Sequence, residues 1–117
     1  MVTLTKEIME ALPPRYSQEH MGGKEKIIVK FYTQHGHWTW FATEGNPVIE
    51  EDGEHTSDYT YAQVVEMGAE IIDWHFFGYV DGDFPELGYF ALSDLQSVDD
   101  IVIDENYGMN TPLCDVL

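Results

Sequence analysis

The sequence predicts an α+β domain: a mostly antiparallel sheet of two hairpins, with an N-terminal helix packed on one face and short additional helices. Three observations lead there. Two stretches, residues 26–43 and 74–92, set aromatic and branched residues around turn residues, as half-buried hairpin strands do. Two others, residues 5–12 and 60–68, carry helix caps and helical apolar spacing. A chain of 117 residues, 44% of them apolar, is enough for one core, so residues 1–117 are read as a single domain.

Taken in order, Thr5 is a good N-cap for a helix over residues 6–12, with Glu7 in the first turn and Leu4 and Met9 placed as a hydrophobic staple. Ile8, Ala11 and Leu12 supply its apolar stripe, and Pro13-Pro14 stops it. Residues 15–25 are polar with a Gly22-Gly23 pair and read as a loop. Lys26 to Gln34 alternates, with Ile27, Val29, Phe31 and Thr33 on one face. His35-Gly36 turns the chain, and His37 to Thr43 returns with Trp38, Trp40 and Ala42 on one side. Glu44-Gly45-Asn46-Pro47 is expected to break that strand, and Glu50 to Asp58 to form an acidic loop.

Thr60-x-x-Gln63 is a capping box, with Tyr59 and Val64 as its staple, opening a short helix that ends near Gly68. The aromatic run then supplies the second hairpin: Trp74 to Val80 and Leu87 to Leu92, with Gly82 and Pro85 in the turn. Trp40 and Phe77 are expected to be largely buried, and the aromatic set Trp38, Trp40, Trp74, Phe76 and Tyr79 reads as core. Ser93-x-x-Gln96 is expected to cap a single helical turn, Ile101 to Ile103 to form a short edge strand, and the tail from Asp104 to lie over the surface.

Charge is the loudest signal. The formal net charge is −17, and all five basic residues (Lys6, Arg15, Lys24, Lys26 and Lys30) fall within the first 30. The remainder holds 18 of the 22 acids and no Lys or Arg, so it cannot neutralise itself with salt bridges. Such a surface disfavours nucleic acid as a ligand, because binding it requires basic groups to displace counterions. It is compatible with simple solubility, and it also suits a partner that normally binds a polyanion. One cysteine excludes an intramolecular disulfide framework and suits a reducing compartment. No apolar run is long enough to span a membrane, and the N-terminus lacks the form of a signal peptide, which points to a cytoplasmic protein.

Three stretches together carry a family resemblance: LTKEIMEALPPRYS, then VKFYTQHGHWTWFATEG, then WHFFGYVDGDFPELGYFALSDLQSV. They cover roughly three quarters of the chain, and the chain resembles the small bacterial, phage and plasmid proteins catalogued as domain of unknown function 2958. Residues 46–72 and the C-terminal tail depart from that pattern. The resemblance implies a compact α+β domain of a mobile element, and it carries over no activity and no catalytic residue.

No catalytic constellation stands out from the residues. His35-x-His37 flanks a turn, but a zinc site needs three or four convergent ligands, and His55, His75 or Cys114 would have to join it. Asp81-x-Asp83-x-x-Glu86 lacks the alternation and terminal glutamate of a calcium loop and reads as a solvated turn. No metal, cofactor or catalytic residue is therefore assigned. The favoured reading is an acidic interaction protein that imitates nucleic acid and blocks the channel of a host defence complex. Its expected partner is a protein with a basic nucleic-acid-binding surface. The expected binding residues are Glu50, Glu51, Asp52 and Glu54 in one loop and Asp81, Asp83 and Glu86 in another. The alternatives are an accessory protein of phage or plasmid maintenance, whose acidity is only solubility, and a small metal-dependent hydrolase.

Overall fold

Thr5 opens the first helix as its side chain predicts. Its Oγ1 accepts the Ile8 amide at 3.2 Å, and α1 runs Lys6–Ala11 in a computed structural model that describes residues 2–14, 26–104 and 111–116. Ile8 and Leu12 are its buried anchors. Pro14 has no amide to extend the ladder, and the Pro13 carbonyl instead accepts the Gly45 amide at 2.9 Å, tying the helix end to the sheet. The loop expected over residues 15–25 lies outside the described residues.

β1 (Val29–Thr33) and β2 (Thr39–Glu51) form the first hairpin, in register from Val29 opposite Ala42 to Tyr32 opposite Thr39. Alternation predicts Ile27 on the Phe31 face, yet Ile27 packs with Phe41, Tyr79 and Leu113 in a separate cluster. The regular ladder begins only at Val29. Before it the chain turns over, with the Ile27 amide going to Thr111 O and the Ile28 amide to Ala42 O, each at 2.8 Å.

β2 overturns the expectation of a break at Glu44-Gly45-Asn46-Pro47, since the strand continues to Glu51. A register shift between Ala42 and Glu44 absorbs an extra residue, as a β-bulge does. Pro47, which cannot donate to a ladder, sits opposite Trp74 of the next strand, beyond the last residue of β2 that pairs with β1. The acidic loop expected from Glu50 is also a hairpin in its first half. β3 (Glu54–Thr56) folds back on Ile49, Glu50 and Glu51 around Asp52-Gly53. Both turn residues have positive φ, 53° and 81°, the geometry of a type I′ turn that matches strand twist.

α2 (Tyr61–Met67) begins at the Thr60–Gln63 capping box and ends at Gly68 with φ 68°. β4 (Asp73–Asp81) and β5 (Glu86–Ala91) form the second hairpin, followed by α3 (Leu92–Gln96) and β6 (Ile101–Ile103). The sheet runs β5-β4-β2-β1-β6, antiparallel throughout, with β3 paired to the far end of β2. Ser93 does not cap α3 as expected, because it lies inside the helix. Asp73 takes the role across the fold, its Oδ1 accepting the Ser93 amide at 2.9 Å and its Oδ2 the Ser93 hydroxyl at 2.7 Å. A 3-10 turn over Leu113–Asp115 anchors the described part of the tail, and Leu113 is fully buried rather than spread over the surface.

The main core lies on one face of the sheet. Phe31, Trp40, Trp74, Phe76 and Phe90 pack there against Ile8 and Leu12 at the N-terminal end and Leu92 and Leu95 of α3. Trp40 is buried as expected, whereas Phe77 is not a core residue. Successive side chains of β4 point to opposite faces, so burying Phe76 turns Phe77 outward, half-buried against Tyr89 at 5.0 Å between ring centroids. Tyr79 likewise belongs to the second cluster rather than to the main core. Phe76→Ala should cost about 3–5 kcal/mol in urea unfolding. Phe77→Ala should cost less than half as much, and equal losses would show that the two faces had been assigned wrongly.

Candidate interaction surface at two acidic poles

The fold divides the seven predicted binding residues between two ends of the molecule. In the β2–β4 register Thr39 faces Asp81 and Val48 faces Asp73. The β4–β5 turn with Asp81, Asp83 and Glu86 therefore lies at the start of β2, and the β2–β3 hairpin with Glu50, Glu51, Asp52 and Glu54 at its end. At about 3.3 Å per residue the two are roughly 35–40 Å apart, comparable to the longest dimension of 38 Å. They do not merge into one row on one face. All seven are exposed.

At the first pole, Glu51 and Glu54 stand directly opposite each other across the hairpin, a like-charge pairing that works against the ladder. Glu50 faces His55. The Tyr59 hydroxyl donates to Glu51 Oε2 at 2.7 Å, giving one of the crowded carboxylates a hydrogen bond. That hydrogen bond, with the negative charge of Glu51 and lesser contributions from Asp58 and Asp52, holds the Tyr59 phenol above its ordinary value of 10.0.

At the second pole the fold adds acids that sequence reasoning missed. Thr33 pairs with Ile101, which brings the residues just before Ile101 beside the β1–β2 turn. Asp100 Oδ2 accepts the His35 amide at 2.8 Å, and its carbonyl accepts the Gln34 amide at 3.1 Å. Asp99 and Asp100 thus join Asp81, Asp83 and Glu86 at one end of the sheet. The signal that could have found them is the antiparallel pairing of β6 with β1, which is invisible to local spacing. His37 Nε2 meets Asp83 Oδ1 at 3.1 Å, and Gly82 lies directly under the Trp38 ring, where no side chain would fit. The two turns are therefore locked together.

Among the described residues, Lys6 pairs with Glu10 and Lys30 with Asp104, both at 3.7 Å, and no lysine pairs with the acids of either pole. No group of three or more His, Cys, Asp or Glu is placed to hold a metal among them. His75 Nδ1 lies 3.3 Å from the Ser57 hydroxyl, while Asn46 Nδ2 donates to the Ser57 carbonyl at 2.8 Å. These contacts fasten the segment after β3 to the sheet. A groove of about 580 Å³ between α1 and α2 is floored by apolar groups such as Met9, Leu12 and Val65, with the Lys6–Glu10 pair at its rim.

Comparisons with protein-family models, with curated proteins and with solved structures return no match. Among the described residues, no helix is long and apolar enough to cross a membrane. The class defined by the geometry is an α+β domain with an open antiparallel sheet and acidic ends.

Two outcomes follow from the charge. Glu51→Gln should lower the Tyr59 pKa toward the ordinary value, read from the ring resonances during an alkaline titration. Because that pKa is raised in the folded state, the stabilisation is fully present below about pH 10 and is lost as pH climbs through the raised value. A Tyr59 pKa unmoved by the substitution would show that Glu51 is not its cause. The melting temperature should also rise with added sodium chloride, as screening relieves repulsion within each pole. A flat response would mean that the carboxylates are paired or well dispersed.

Proposed function

We propose that this protein binds a partner whose surface normally holds nucleic-acid phosphates, presenting carboxylates in their place. It would thereby occupy the basic channel of a host defence complex, such as a CRISPR effector or a restriction enzyme. The observation that carries this reading is the uncompensated charge. The chain after Lys30 has 18 acids and no Lys or Arg, and among the described residues no lysine pairs with the solvent-facing acids of either pole or with the half-covered Asp100. The spacing of the poles supports it, being on the order of one turn of B-form DNA, about 34–36 Å. Two clusters at that distance suit a channel shaped for a duplex better than a small basic pocket. In this reading the protein works in the cytoplasm of a cell invaded by a mobile element, as the resemblance to domain of unknown function 2958 implies. The exposed single thiol, Cys114, suits that reducing setting.

Charged groups across such an interface give fast, salt-sensitive association. The test replaces Glu50, Glu51, Asp52 and Glu54 together, and Asp81, Asp83 and Glu86 separately, by Gln or Asn. Asn at position 52 keeps the turn, because Asn also tolerates positive φ. Association with a partner recovered from host lysate should slow in both variants and weaken steeply with salt. A single acid desolvated against an arginine should cost about 2–5 kcal/mol when neutralised. Duplex DNA or guide RNA should compete for the same site. Unchanged affinity in both variants would remove the poles as the binding face, and a ternary complex with nucleic acid still bound would exclude mimicry.

A further inference from the structure

Among the described residues, Phe84 is the most exposed large apolar side chain, 83% open to solvent in the β4–β5 turn. It belongs to neither core cluster, so neither explains a phenyl ring at this position. The turn that carries it is nevertheless held in place. Gly82 lies under the Trp38 ring, where a side chain would collide with it. Asp83 Oδ1 meets His37 Nε2 at 3.1 Å. Pro85 follows Phe84, fixing its own φ and pressing the residue before it toward extended backbone. Single exposed apolar side chains are ordinary on protein surfaces. A ring carried by a locked turn differs from them, because a preordered anchor loses little further entropy on binding.

The charge around the ring selects what it meets. Asp81, Asp83 and Glu86 flank it in sequence, and the pairing of β6 with β1 brings Asp99 and Asp100 to the same end of the sheet. A second copy would bring the same carboxylates against these, so the complementary occupant is a basic surface. Proteins that hold unpaired bases combine basic groups for the phosphates with aromatic or guanidinium planes on which a base stacks. Phe84 among its carboxylates offers both halves of that ligand, a flat apolar ring and adjacent negative charge. It lacks the hydrogen-bonding edge of a base, but such stacking is sequence-tolerant and needs only a π face.

We infer that Phe84 is the aromatic anchor of the second pole. It enters a site on the basic partner that normally stacks an unpaired base, while Asp81, Asp83 and Glu86 take the places of phosphates. This rests on the mimicry proposed above and names the subsite that Phe84 fills.

The test uses the full chain, with the tripeptide lysine-tryptophan-lysine as the probe. That peptide carries the two features of such a site, cationic groups around a stacking ring, and lysine-leucine-lysine is the control of equal charge. In a proton NMR titration the Phe84 ring resonances should move upfield with the tryptophan peptide. It should bind about threefold or more tighter than the leucine peptide. Phe84→Leu keeps apolar surface at an exposed position and should abolish that preference, leaving the two peptides equal. Phe84→Tyr retains a ring and should retain the preference. Replacing Glu50, Glu51, Asp52 and Glu54 by Gln or Asn should leave it unchanged, since these acids lie at the other pole. A preference that survives Phe84→Leu, or that the natural chain lacks, would overturn the anchor while leaving both acidic poles in place. Loss of the preference in the first-pole variant would overturn it as well. Phe84 in contact with a natural partner that still holds its nucleic acid would sink mimicry and the base site together.

Discussion

The structure depends on β4 being paired on both sides. It bonds to β2 along one edge and to β5 along the other, and its inward side chains Trp74 and Phe76 meet the rest of the core. Phe76 has no exposed surface and lies within ring contact of Phe31, Trp74 and Phe90. Gly78 permits this arrangement, because any side chain there would collide with the Phe41 carbonyl of β2. Asp73, at the start of the strand, holds the first turn of α3 through the Ser93 amide and hydroxyl. One strand therefore joins the two hairpins, fills the centre and positions the helix that follows.

Excess charge is the constraint that this framework must survive. Two like charges 4 Å apart in water repel by about 1 kcal/mol, and at physiological salt the effect fades beyond about 8 Å. The poles, separated by the length of β2, are therefore nearly independent of each other. Repulsion is a local matter within each pole, where Tyr59 serves Glu51 and His37 meets Asp83. The long strand that overturned the expected break at Glu44-Gly45-Asn46-Pro47 is what creates this separation. A chain ending β2 at Thr43 would have brought the acids of residues 50–54 much closer to those of residues 81–86.

Much of the fold was legible because local signals and tertiary packing agree. Thr5 and the Thr60–Gln63 box begin helices as their side chains require, and the aromatic runs form the two hairpins. Reading failed where a local signal was weighed alone. Gly45 and Pro47 look like strand breakers until the bulge and the missing β1 partner are known. Asp52-Gly53 is a strong hairpin signal, but it was hidden among acids that resembled a loop. Phe76 and Phe77 are equivalent in composition, and only the pleat distinguishes core from surface. The acidic loops were found by composition. Their distribution to opposite poles, and the arrival of Asp99 and Asp100 at one of them, required the pairing of strands distant in sequence.

Edge strands in acidic and basic proteins face the same hazard from opposite sides. The usual protection is a lysine on the edge, which repels another copy through charge and solvation. Here the chain has no Lys or Arg beyond Lys30, so any electrostatic guard at β5 must be acidic, and Glu86 with the turn acids supplies it. An acidic guard disfavours a second molecule of the same protein, because each copy brings the same carboxylates to that edge.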